Sequence, residues 1–435
     1  MKESKTDVLI IGAGVGGLCA AAKLITKGIK VIVAESLPYV GGRFSSRDCN
    51  GFQVTTGAIM VPYGETSIFN ESFDDVGVKM RVREAKGGFQ YKLQKGTYTV
   101  PDKGGLFGMI NFALEDEEKA KEIANLFKHA MTWMMPSDAI SFKEWLMQYT
   151  DNQDLHDLFQ GYIGAFIGVN AYECPTAELF RFLRDGMTRF KFGVSIHGNA
   201  DLMDSLAEGV TNKGVRLSTE TYCKKIIVEN YRAIGAIIEK NGVEETVYAD
   251  HIISNVGPNM TVELSGEEHF ERSYMTLLKE RQSVTPVIHL AICAREPLHD
   301  FPGIICTGGT RRLVFMESPT MTCPELAPEG WHLSNTFSVP ANTTGPLRLE
   351  ETIEFVKQDI LDFFPKFKEA EVLLQATHHR EWPAMRRWPG FPMPTKTPVE
   401  NLYNVGDGCM PRGFVGIEAA AMSSKDVVED ILIRG

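Results

Sequence analysis

The sequence predicts an α/β protein in which a Rossmann-like domain, a parallel sheet with helices, is interleaved with an α+β domain. Two observations support this prediction. A strand, a glycine-rich turn, a helix and a second strand open the chain, and a strand ending in Gly-Asp is followed by a small-residue helix near its end. The length of 435 residues also exceeds one simple core, since domains run to roughly 100–200 residues. We therefore expect two domains, the first assembled from separated stretches of chain.

Residues 7–35 have the pattern of a dinucleotide-binding unit. The apolar run Val8–Ile11 is typical of a strand buried on both faces, and Leu18–Lys27 predicts the following helix. Glycines between them permit a tight turn, a close approach of pyrophosphate to the backbone, and close packing of helix on strand. The helix N-terminus attracts phosphate, and Glu35 at the end of the next strand can accept hydrogen bonds from ribose hydroxyls. The predicted binding residues are Gly12, Gly14, Val15, Gly16, Gly17, Glu35 and Ser36.

A Gly-Gly-Arg turn follows this unit. Gly41-Gly42-Arg43 precedes Gly51-Phe52 and Thr56-Gly57-Ala58. With these residues the sequence resembles the superfamily of FAD-dependent amine oxidases and phytoene desaturases, which includes carotenoid desaturases and isomerases. The resemblance implies the two-domain architecture of p-hydroxybenzoate hydroxylase and the amine oxidases, with the glycine backbone and the arginine fork against the FAD pyrophosphate and flavin edge. It adds Gly41, Gly42, Arg43, Gly57, Ala58 and Ile59 to the predicted site.

Two later stretches resemble the same superfamily. Tyr222–Ile226 matches the strand whose backbone contacts adenine in that family, and the predicted strand after it leads into Asn255 and Val256. Near the end of the chain, a Gly-Asp pair matches the family's contact with the ribityl chain and pyrophosphate. The helix after it would stabilise negative charge on reduced flavin through its dipole. These stretches add Lys225, Ile226, Asn255, Val256, Gly406, Asp407, Gly416, Ile417 and Ala420.

The three stretches divide the chain into interleaved parts. We predict a discontinuous FAD-binding domain from residues 1–75, 196–270 and 375–435, and a substrate-binding domain from residues 76–195 and 271–374. The second domain is rich in large apolar side chains. The resemblance implies that they form a cavity above the flavin, whereas for any single side chain an ordinary core position is the simpler interpretation.

Candidate catalytic and substrate residues follow from the resemblance alone. His289, on the predicted strand Val284–Ala294, corresponds to a lysine that holds a water near flavin N5 in many amine oxidases. A histidine there either orders water or transfers a proton near neutral pH, or it is simply a buried histidine of the strand. The absence of the lysine disfavours amine oxidation. Trp382, Trp388 and Phe391, in a proline-rich loop, are the predicted substrate contacts unless they only pack.

Composition excludes several classes of function. The net charge of −11 disfavours nucleic-acid binding. Eight scattered cysteines without a C-x-x-C pair favour neither zinc nor disulfides, and His378-His379 lacks ligand spacing, so no metal is expected. Val8–Ile11 runs into glycines rather than a cleavage site, so we expect no signal peptide and a cytoplasmic location. The apolar stretch Gly104–Leu114 favours a core or lid element over a membrane-dipping loop, so membrane contact is at most peripheral.

Together these features predict an oxidoreductase with noncovalent FAD, since Cys409 lies after the Gly-Asp pair. The preferred reaction is a phytoene desaturase-like dehydrogenation, in which hydride passes from a C–H bond of a largely apolar polyene, isoprenoid or alicyclic substrate to flavin N5. A flavin amine oxidase and a redox-neutral FAD-dependent isomerase are the alternatives, with a non-catalytic flavoprotein last. The expected partners are the small apolar substrate and an electron acceptor, either oxygen, a quinone or a protein carrier, and a homodimer is left open.

Overall fold

The computed structural model describes residues 2–101, 105–186, 191–380, 384 and 388–434. The helices are α1 (Val15–Ile25), α2 (Ile68–Val76), α3 (Gly105–Leu114), α4 (Glu117–Thr132), α5 (Phe142–Met147), α6 (Gln153–Phe166), α7 (Thr176–Arg181), α8 (Asn199–Asn212), α9 (Pro258–Ser265), α10 (Arg272–Arg281), α11 (Leu349–Phe363) and α12 (Gly416–Arg434). The strands are β1 (Lys2–Ile11), β2 (Val31–Ala34), β3 (Ser46–Cys49), β4 (Phe52–Thr55), β5 (Val61–Tyr63), β6 (Val82–Glu84), β7 (Phe89–Leu93), β8 (Gly96–Thr99), β9 (Lys191–Ser195), β10 (Arg216–Ser218), β11 (Thr221–Glu229), β12 (Arg232–Lys240), β13 (Val243–Ser254), β14 (Val287–Ala294), β15 (Ile304–Thr307), β16 (Leu313–Glu317), β17 (His332–Ser338), β18 (Glu371–His378) and β19 (Leu402–Asn404).

The first sheet is built around the N-terminal strand. Its order is β10-β2-β1-β13-β12-β11, and β19 pairs with β13. β1 is parallel to both of its neighbours, β2 and β13. Because side chains alternate between the faces of a strand, Val8 and Ile10 pack with α1, α8 and α12, whereas Leu9 and Ile11 pack with α9 and α10. This two-sided burial explains the continuous apolar run of the strand and confirms the predicted α/β class.

The second sheet has the order β18-β14-β17-β16-β15-β7-β8. One face packs against Val356 and Ile360 of α11 through Ile288, Leu290 and Ile292 of β14 and through Leu313 and Met316 of β16. The opposite face, at β7, β15 and β16, shares a core with helices α3, α4, α5, α6 and α7. A Cβ at Gly164 of α6 would lie 2.5 Å from Val314 Cγ1, so glycine is what lets the helix approach β16. The aromatic core beyond it is dense, with the Phe127 and Phe159 rings 5.1 Å apart.

Two elements lie across the predicted domain boundaries. The strand β18 is continuous from Glu371 to His378 and pairs with β14, so the predicted boundary at residue 375 divides a strand of the second sheet. Helix α10 lies in the stretch assigned to the substrate-binding domain, but Tyr274 and Leu278 belong to the core of the first sheet. The division into domains stays a prediction, and the structure ties both halves together through these two elements.

The apolar stretch at residues 104–114 forms α3 from residue 105 onward. Met109, Ile110 and Ala113 are buried in the second core, and Phe107 is 36% exposed. Gly104 lies outside the described residues. Among the helices of the described ranges, none is both long enough and apolar enough to cross a lipid bilayer.

Candidate functional site

A cavity of about 660 Å³ is lined by residues of both sheets, a size typical of ligand pockets. It brings together residues that the sequence analysis took from the beginning, middle and end of the chain. The predicted residues that line it are Gly12, Gly14, Val15, Gly16, Glu35, Ser36, Gly41, Gly42, Arg43, Gly57, Ala58, Ile59, Asn255, Val256, Gly406, Asp407, Gly416, Ile417 and Ala420. The tertiary fold therefore assembles one continuous site from separated motifs.

The first glycine turn joins β1 to α1 at one end of the cavity. Gly12 has a φ of +97°, a conformation that only glycine adopts at low cost, and its N–H donates to the Ala34 carbonyl at 2.8 Å. A Cβ at Gly17 would collide with the carbonyl oxygen of Gly12, so Gly17 serves helix–strand packing and does not line the cavity. Helix α1 begins at Val15 without a side-chain cap, which leaves its N-terminal dipole directed at the cavity.

Glu35 fastens this turn to the end of β2. Its side chain is buried, and its two carboxylate oxygens accept from Ala13 N–H at 2.6 Å and from Leu37 N–H at 2.7 Å. Burial raises the pKa of Glu35, and the backbone hydrogen bonds oppose that rise. The carboxylate also lines the cavity, so it is placed to accept hydrogen bonds from a ribose.

The Gly-Gly-Arg turn forms the adjoining wall. Gly41 N–H donates to the Ala13 carbonyl at 2.8 Å, which joins this turn to the first glycine turn. Gly42 has a φ of +58°, and a Cβ there would meet no protein atom within 4 Å. Arg43 forms an ion pair with Asp407 at 2.8 Å and donates to the Ala384 carbonyl at 2.9 Å. This turn therefore presents open space beside a fixed guanidinium.

Asn255 connects the middle of the chain to both glycine motifs. Its amide lies so close to Gly14, Gly16 and Gly406 that a Cβ on any of them would come within 2.7 Å of an amide nitrogen or oxygen. The Asn255 N–H donates to Ile11 O at 2.8 Å, so the residue continues β13 beside β1. It lines the cavity and at the same time keeps the glycine backbones in place.

Helix α12 begins at the cavity, opposite α1. Gly416 has a φ of +64° and open space around the position of a Cβ. Ser424 Oγ donates to the Gly16 carbonyl at 2.7 Å, and Gly406 N–H donates to Ser423 Oγ at 2.9 Å. Two glycine-rich helix N-termini thus line one cavity, as a bound pyrophosphate and flavin would require.

The strand predicted to contact adenine reaches the cavity through other residues than those predicted. Thr221, Tyr222 and Cys223 line the cavity, whereas Lys225 and Ile226 do not. Thr221 N–H donates to the Glu35 carbonyl at 2.8 Å, which brings the start of β11 to the site. Ile226 is fully buried in the core of the first sheet. The predicted strand is present at the cavity, but the contact lies a few residues earlier.

The end of the cavity away from the glycines is aromatic. Its wall, called here the aromatic wall, consists of Phe166, Phe182, Phe192, Phe315 and Phe337. These side chains come from α6, a π-helical turn at residues 182–186, β9, β16 and β17. Met60, Pro62, Val287 and Val415 complete the apolar surface. Phe166, Phe182 and Phe192 lie in residues 76–195, and Phe315 and Phe337 lie in residues 271–374, the two stretches in which the sequence analysis expected an apolar cavity.

Four described lining residues are ionisable acids or arginine, and all four have partners. Arg43 and Asp407 pair with one another, and Glu35 accepts backbone N–H groups. Glu418, in the first turn of α12, accepts from Ser67 Oγ at 2.8 Å and from Ile68 N–H at 2.6 Å. Glu418 thereby caps α2, so its charge stabilises the fold.

The cavity-facing histidine is His378, which the sequence analysis considered only as a metal ligand. It ends β18 and lines the cavity, and its ring lies near Gly57. Burial lowers the pKa of His378 to about 4, with further lowering by the charges of His289 and Arg43, so the ring is neutral at pH 7. His289 does not line the cavity; it is fully buried on β14, with Nε2 3.1 Å from Asn335 Oδ1.

The predicted substrate aromatics are placed differently from expectation. Trp382 lies outside the described residues. Trp388 packs against the second core, and Phe391 N–H donates to its carbonyl at 3.1 Å; neither ring lines the cavity. Over the described ranges, no three His, Cys, Asp or Glu side chains are grouped to hold a metal ion.

The chemistry of the lining fits FAD. Two glycines with open space at their Cβ positions, two helix N-termini and a carboxylate at the end of β2 suit a dinucleotide. The aromatic wall suits a flavin ring and an apolar substrate. Bound there, FAD would be held by the glycine backbones, Glu35 and Arg43, with its ring toward the aromatic wall.

Comparison with known proteins agrees with this fit. An oxidoreductase of known structure from Methanosarcina mazei has a TM-score of 0.86 and 28% identity, covering 97% of this chain and 100% of the other. Prolycopene isomerase of Daucus carota is 25% identical over 99% of this chain and 81% of its own length. A 15-cis-phytoene desaturase of Capsicum annuum is 21% identical over 96% of this chain and 76% of its own length.

The family model described as flavin containing amine oxidoreductase matches residues 15–432, nearly the whole chain. The resemblance predicted from the glycine motifs is thereby confirmed, and so is FAD as the cofactor. The protein belongs to the flavin containing amine oxidoreductase family.

Proposed function

We propose that the protein is a FAD-dependent desaturase of a largely apolar substrate, such as a polyene, an isoprenoid or an alicyclic compound. The observation that supports this proposal is the aromatic wall. Five phenylalanine rings face the part of the cavity beyond the glycine turns, and the neighbouring side chains are also apolar. Such a surface binds an uncharged hydrocarbon through burial of apolar area.

The charged groups of the site argue against an ammonium substrate. A substrate ammonium is best held by a carboxylate with unused acceptor capacity. The carboxylates among the described lining residues are Glu35, Asp407 and Glu418. Glu35 is placed for the cofactor ribose, Asp407 pairs with Arg43, and Glu418 caps α2. We therefore place amine oxidation, the alternative suggested by the family name, below dehydrogenation of a C–H bond.

The reaction divides between cofactor and chain. FAD supplies a hydride acceptor at N5. The chain excludes water and orients the substrate against the aromatic wall. Desaturation also releases a proton from the adjacent carbon, and neutral His378 at the cavity surface is the described group placed to accept it. The electrons then leave to oxygen, a quinone or a protein carrier.

A redox-neutral isomerase is the second candidate. The likeness to prolycopene isomerase extends over 99% of this chain, which favours a polyene geometry change without net oxidation. An apolar, water-excluding cavity serves both reactions, so the aromatic wall alone does not separate them. What separates them is the oxidation state of the flavin that turns over.

The test is anaerobic and begins with the purified holoenzyme. Stoichiometric bleaching of the flavin spectrum by a polyene, an isoprenoid or an alicyclic ketone, with formation of a C=C bond, supports desaturation. Conversion of a cis-polyene only after prior reduction of the flavin, without consumption of reductant, supports the isomerase. Bleaching by primary amines alone would reject both proposals in favour of an amine oxidase. Apoprotein that cannot be loaded with FAD would reject all three.

A further inference from the structure

A diagonal of four polar side chains crosses the cavity-facing side of the second sheet. Glu317 on β16 pairs in register with Asn335 on β17, His289 on β14 pairs with Phe337, and His378 on β18 pairs with Val287. Directly paired residues of neighbouring strands lie on the same face of a sheet, and so do alternate residues of one strand. The side chains of Glu317, Asn335, His289 and His378 therefore share one face. We call Glu317, Asn335, His289 and His378 the polar diagonal.

The first three members are connected by hydrogen bonds in a fully enclosed setting. Asn335 Nδ2 donates to Glu317 Oε1 at 3.1 Å, and Asn335 Oδ1 lies 3.1 Å from His289 Nε2. Glu317 is 8% exposed, and the other two are 0% exposed. Burying three polar side chains costs free energy unless their donors and acceptors are paired, so each must hydrogen-bond to its neighbour in the series.

This geometry determines which nitrogen of His289 carries its proton. With Glu317 ionised, Asn335 donates its N–H to the carboxylate, so its carbonyl oxygen must accept from His289 Nε2–H. His289 Nδ1 is then an acceptor, and it has no hydrogen-bond partner among the described residues. If Glu317 is protonated, its O–H can donate to Asn335 Oδ1 after the amide turns over. The amide N–H then donates to His289 Nε2, and the proton of His289 moves to Nδ1.

The polar diagonal ends at the cofactor cavity. His378 lines the cavity, and Phe337, the cross-strand partner of His289, is part of the aromatic wall. Diagonal cross-strand neighbours are about 7–8 Å apart, within reach of one water or of direct electrostatic interaction. A change of state at Glu317 can therefore be transmitted to the cavity without any movement of the backbone.

We propose that Glu317 is a positioning residue that, through Asn335, switches His289 Nδ1 between hydrogen-bond acceptor and donor beside the flavin site. This inference rests on the proposed function, because His289 lies behind His378, the group proposed to accept the proton of the dehydrogenation. The exchange is balanced: one proton taken up at Glu317 makes Nδ1 a donor, and its loss makes Nδ1 an acceptor again.

The titration behaviour of the polar diagonal agrees with a switch. Burial raises the pKa of Glu317 to about 7, so both of its states are populated near neutral pH. Burial lowers the pKa of His289 to about 4, so the ring stays neutral and changes only its tautomer. The other ionisable groups near the two ends are Cys323, whose pKa the charge of Glu317 raises, and Arg43 and His379, whose charges lower the pKa of His378.

The decisive experiment measures the flavin midpoint potential of the holoenzyme against pH, with redox dyes and no substrate. We expect a change of slope near pH 7 in the wild type, because a titrating group coupled to the flavin changes the number of protons taken up on reduction. Glu317→Gln should remove the change of slope, since its amide neither gains nor loses a proton near neutral pH and so holds the diagonal in one state. Glu325→Gln, an exposed partner of Arg83, is the matched control and should keep it.

A second measurement covers the possibility that the variants fold poorly or bind no FAD. Infrared difference spectra of wild-type protein should show a protonated buried carboxyl band that disappears as pH rises through about 7 and is absent from Glu317→Gln. A change of slope that survives in Glu317→Gln, or a wild-type plot without one between about pH 6 and pH 8, would overturn the proposal. Neither measurement uses a substrate, so a failed substrate panel with a Glu317-dependent slope would reject only the proposed function.

Discussion

Replacement of Glu35 by glutamine tests how the sequence motif holds the dinucleotide. The carboxylate accepts two short backbone hydrogen bonds, from Ala13 at 2.6 Å and from Leu37 at 2.7 Å, and it lines the cavity. Glutamine has the same shape, but only one of its two terminal atoms accepts a hydrogen bond. In Glu35→Gln the amide group must therefore face a backbone N–H or the ribose, where it repels a donor.

The magnitude follows from the hydrogen bonds lost. A hydrogen bond to a charged group contributes about 1.5–3 kcal/mol, and a tenfold change of Kd corresponds to about 1.4 kcal/mol. Losing one such interaction with the ribose should raise the Kd for FAD by roughly 10–100-fold. The fold should survive, because Gly12 and Gly41 keep their backbone hydrogen bonds to Ala34 and Ala13.

The affinity should also depend on pH. Burial holds the pKa of Glu35 above its ordinary value in the free protein, and hydrogen bonds from the ribose favour the charged form. Bound protein therefore has the lower pKa, so wild-type affinity should fall as pH decreases through the raised pKa of the free protein. Glu35→Gln should bind FAD with an affinity that lacks this acid limb.

The assay is fluorescence titration of apoprotein with FAD, with Glu245→Gln as control. Glu245 is a buried glutamate of the same sheet that accepts from both terminal nitrogens of Arg216 at 2.6 Å, away from the cavity. The Arg216 guanidinium holds its pKa down at about 2, so its stabilising contribution is complete above pH 4.5 and is lost as pH falls toward 2. The control should lower stability and leave the Kd for FAD unchanged. A Glu35→Gln protein with wild-type Kd would refute the assigned role.

Three further predictions follow from single sites. Gly42→Ala should raise the Kd for FAD more than tenfold, because its methyl group fills space in the cavity that FAD would occupy. Gly28→Ala, also at positive φ but away from the cavity, should leave that Kd unchanged and lower the free energy of unfolding by about 1–2 kcal/mol. Equal Kd values in FAD titrations of the two variants would contradict this prediction. Asp359→Asn should lower the free energy of unfolding by about 2–4 kcal/mol, because Asp359 accepts hydrogen bonds from three backbone N–H groups. Asp362→Asn, which removes only an exposed ion pair, should lower it by less than about 1 kcal/mol. Similar urea midpoints for the two variants would contradict this difference. Phe337→Ala should lower kcat/KM for an apolar substrate at least tenfold, measured by stopped-flow bleaching of the flavin, and should leave the FAD content unchanged. A wild-type kcat/KM would show that Phe337 does not contact the substrate.

The dinucleotide cradle could be predicted because its parts are contiguous. A strand, glycine turn, helix, strand and acid within residues 7–35 fold against one another locally, so Gly12 and Glu35 were identifiable from their spacing. The turn at Gly41 was identified from the family resemblance. The predicted edges were nearly right: the helix expected at Leu18–Lys27 runs from Val15 to Ile25. A dinucleotide-binding turn requires small residues and a carboxylate at the end of the second strand, and both can be read from the sequence.

The contact on β11 shows where local patterns stop being informative. A backbone contact leaves no side-chain signature, so the sequence indicated the strand but placed its contact at Lys225 and Ile226 instead of residues 221–223. The hydrogen bond from Thr221 to the Glu35 carbonyl decides the point of contact. That bond joins strands far apart in sequence and depends on the order of the sheet.

The sequence by itself determined the class of fold, and the resemblance of its glycine motifs to a known family determined the cofactor. Most of the glycines that it predicted line the cavity, because they lie in short contiguous motifs. Only the tertiary structure decided which histidine reaches the cavity. His378 and His289 become neighbours because β18 pairs with β14, and Glu317 joins them through Asn335 across two further strands. Sheet order is set by the packing of distant apolar residues, so no local pattern around His289 could have indicated its partners.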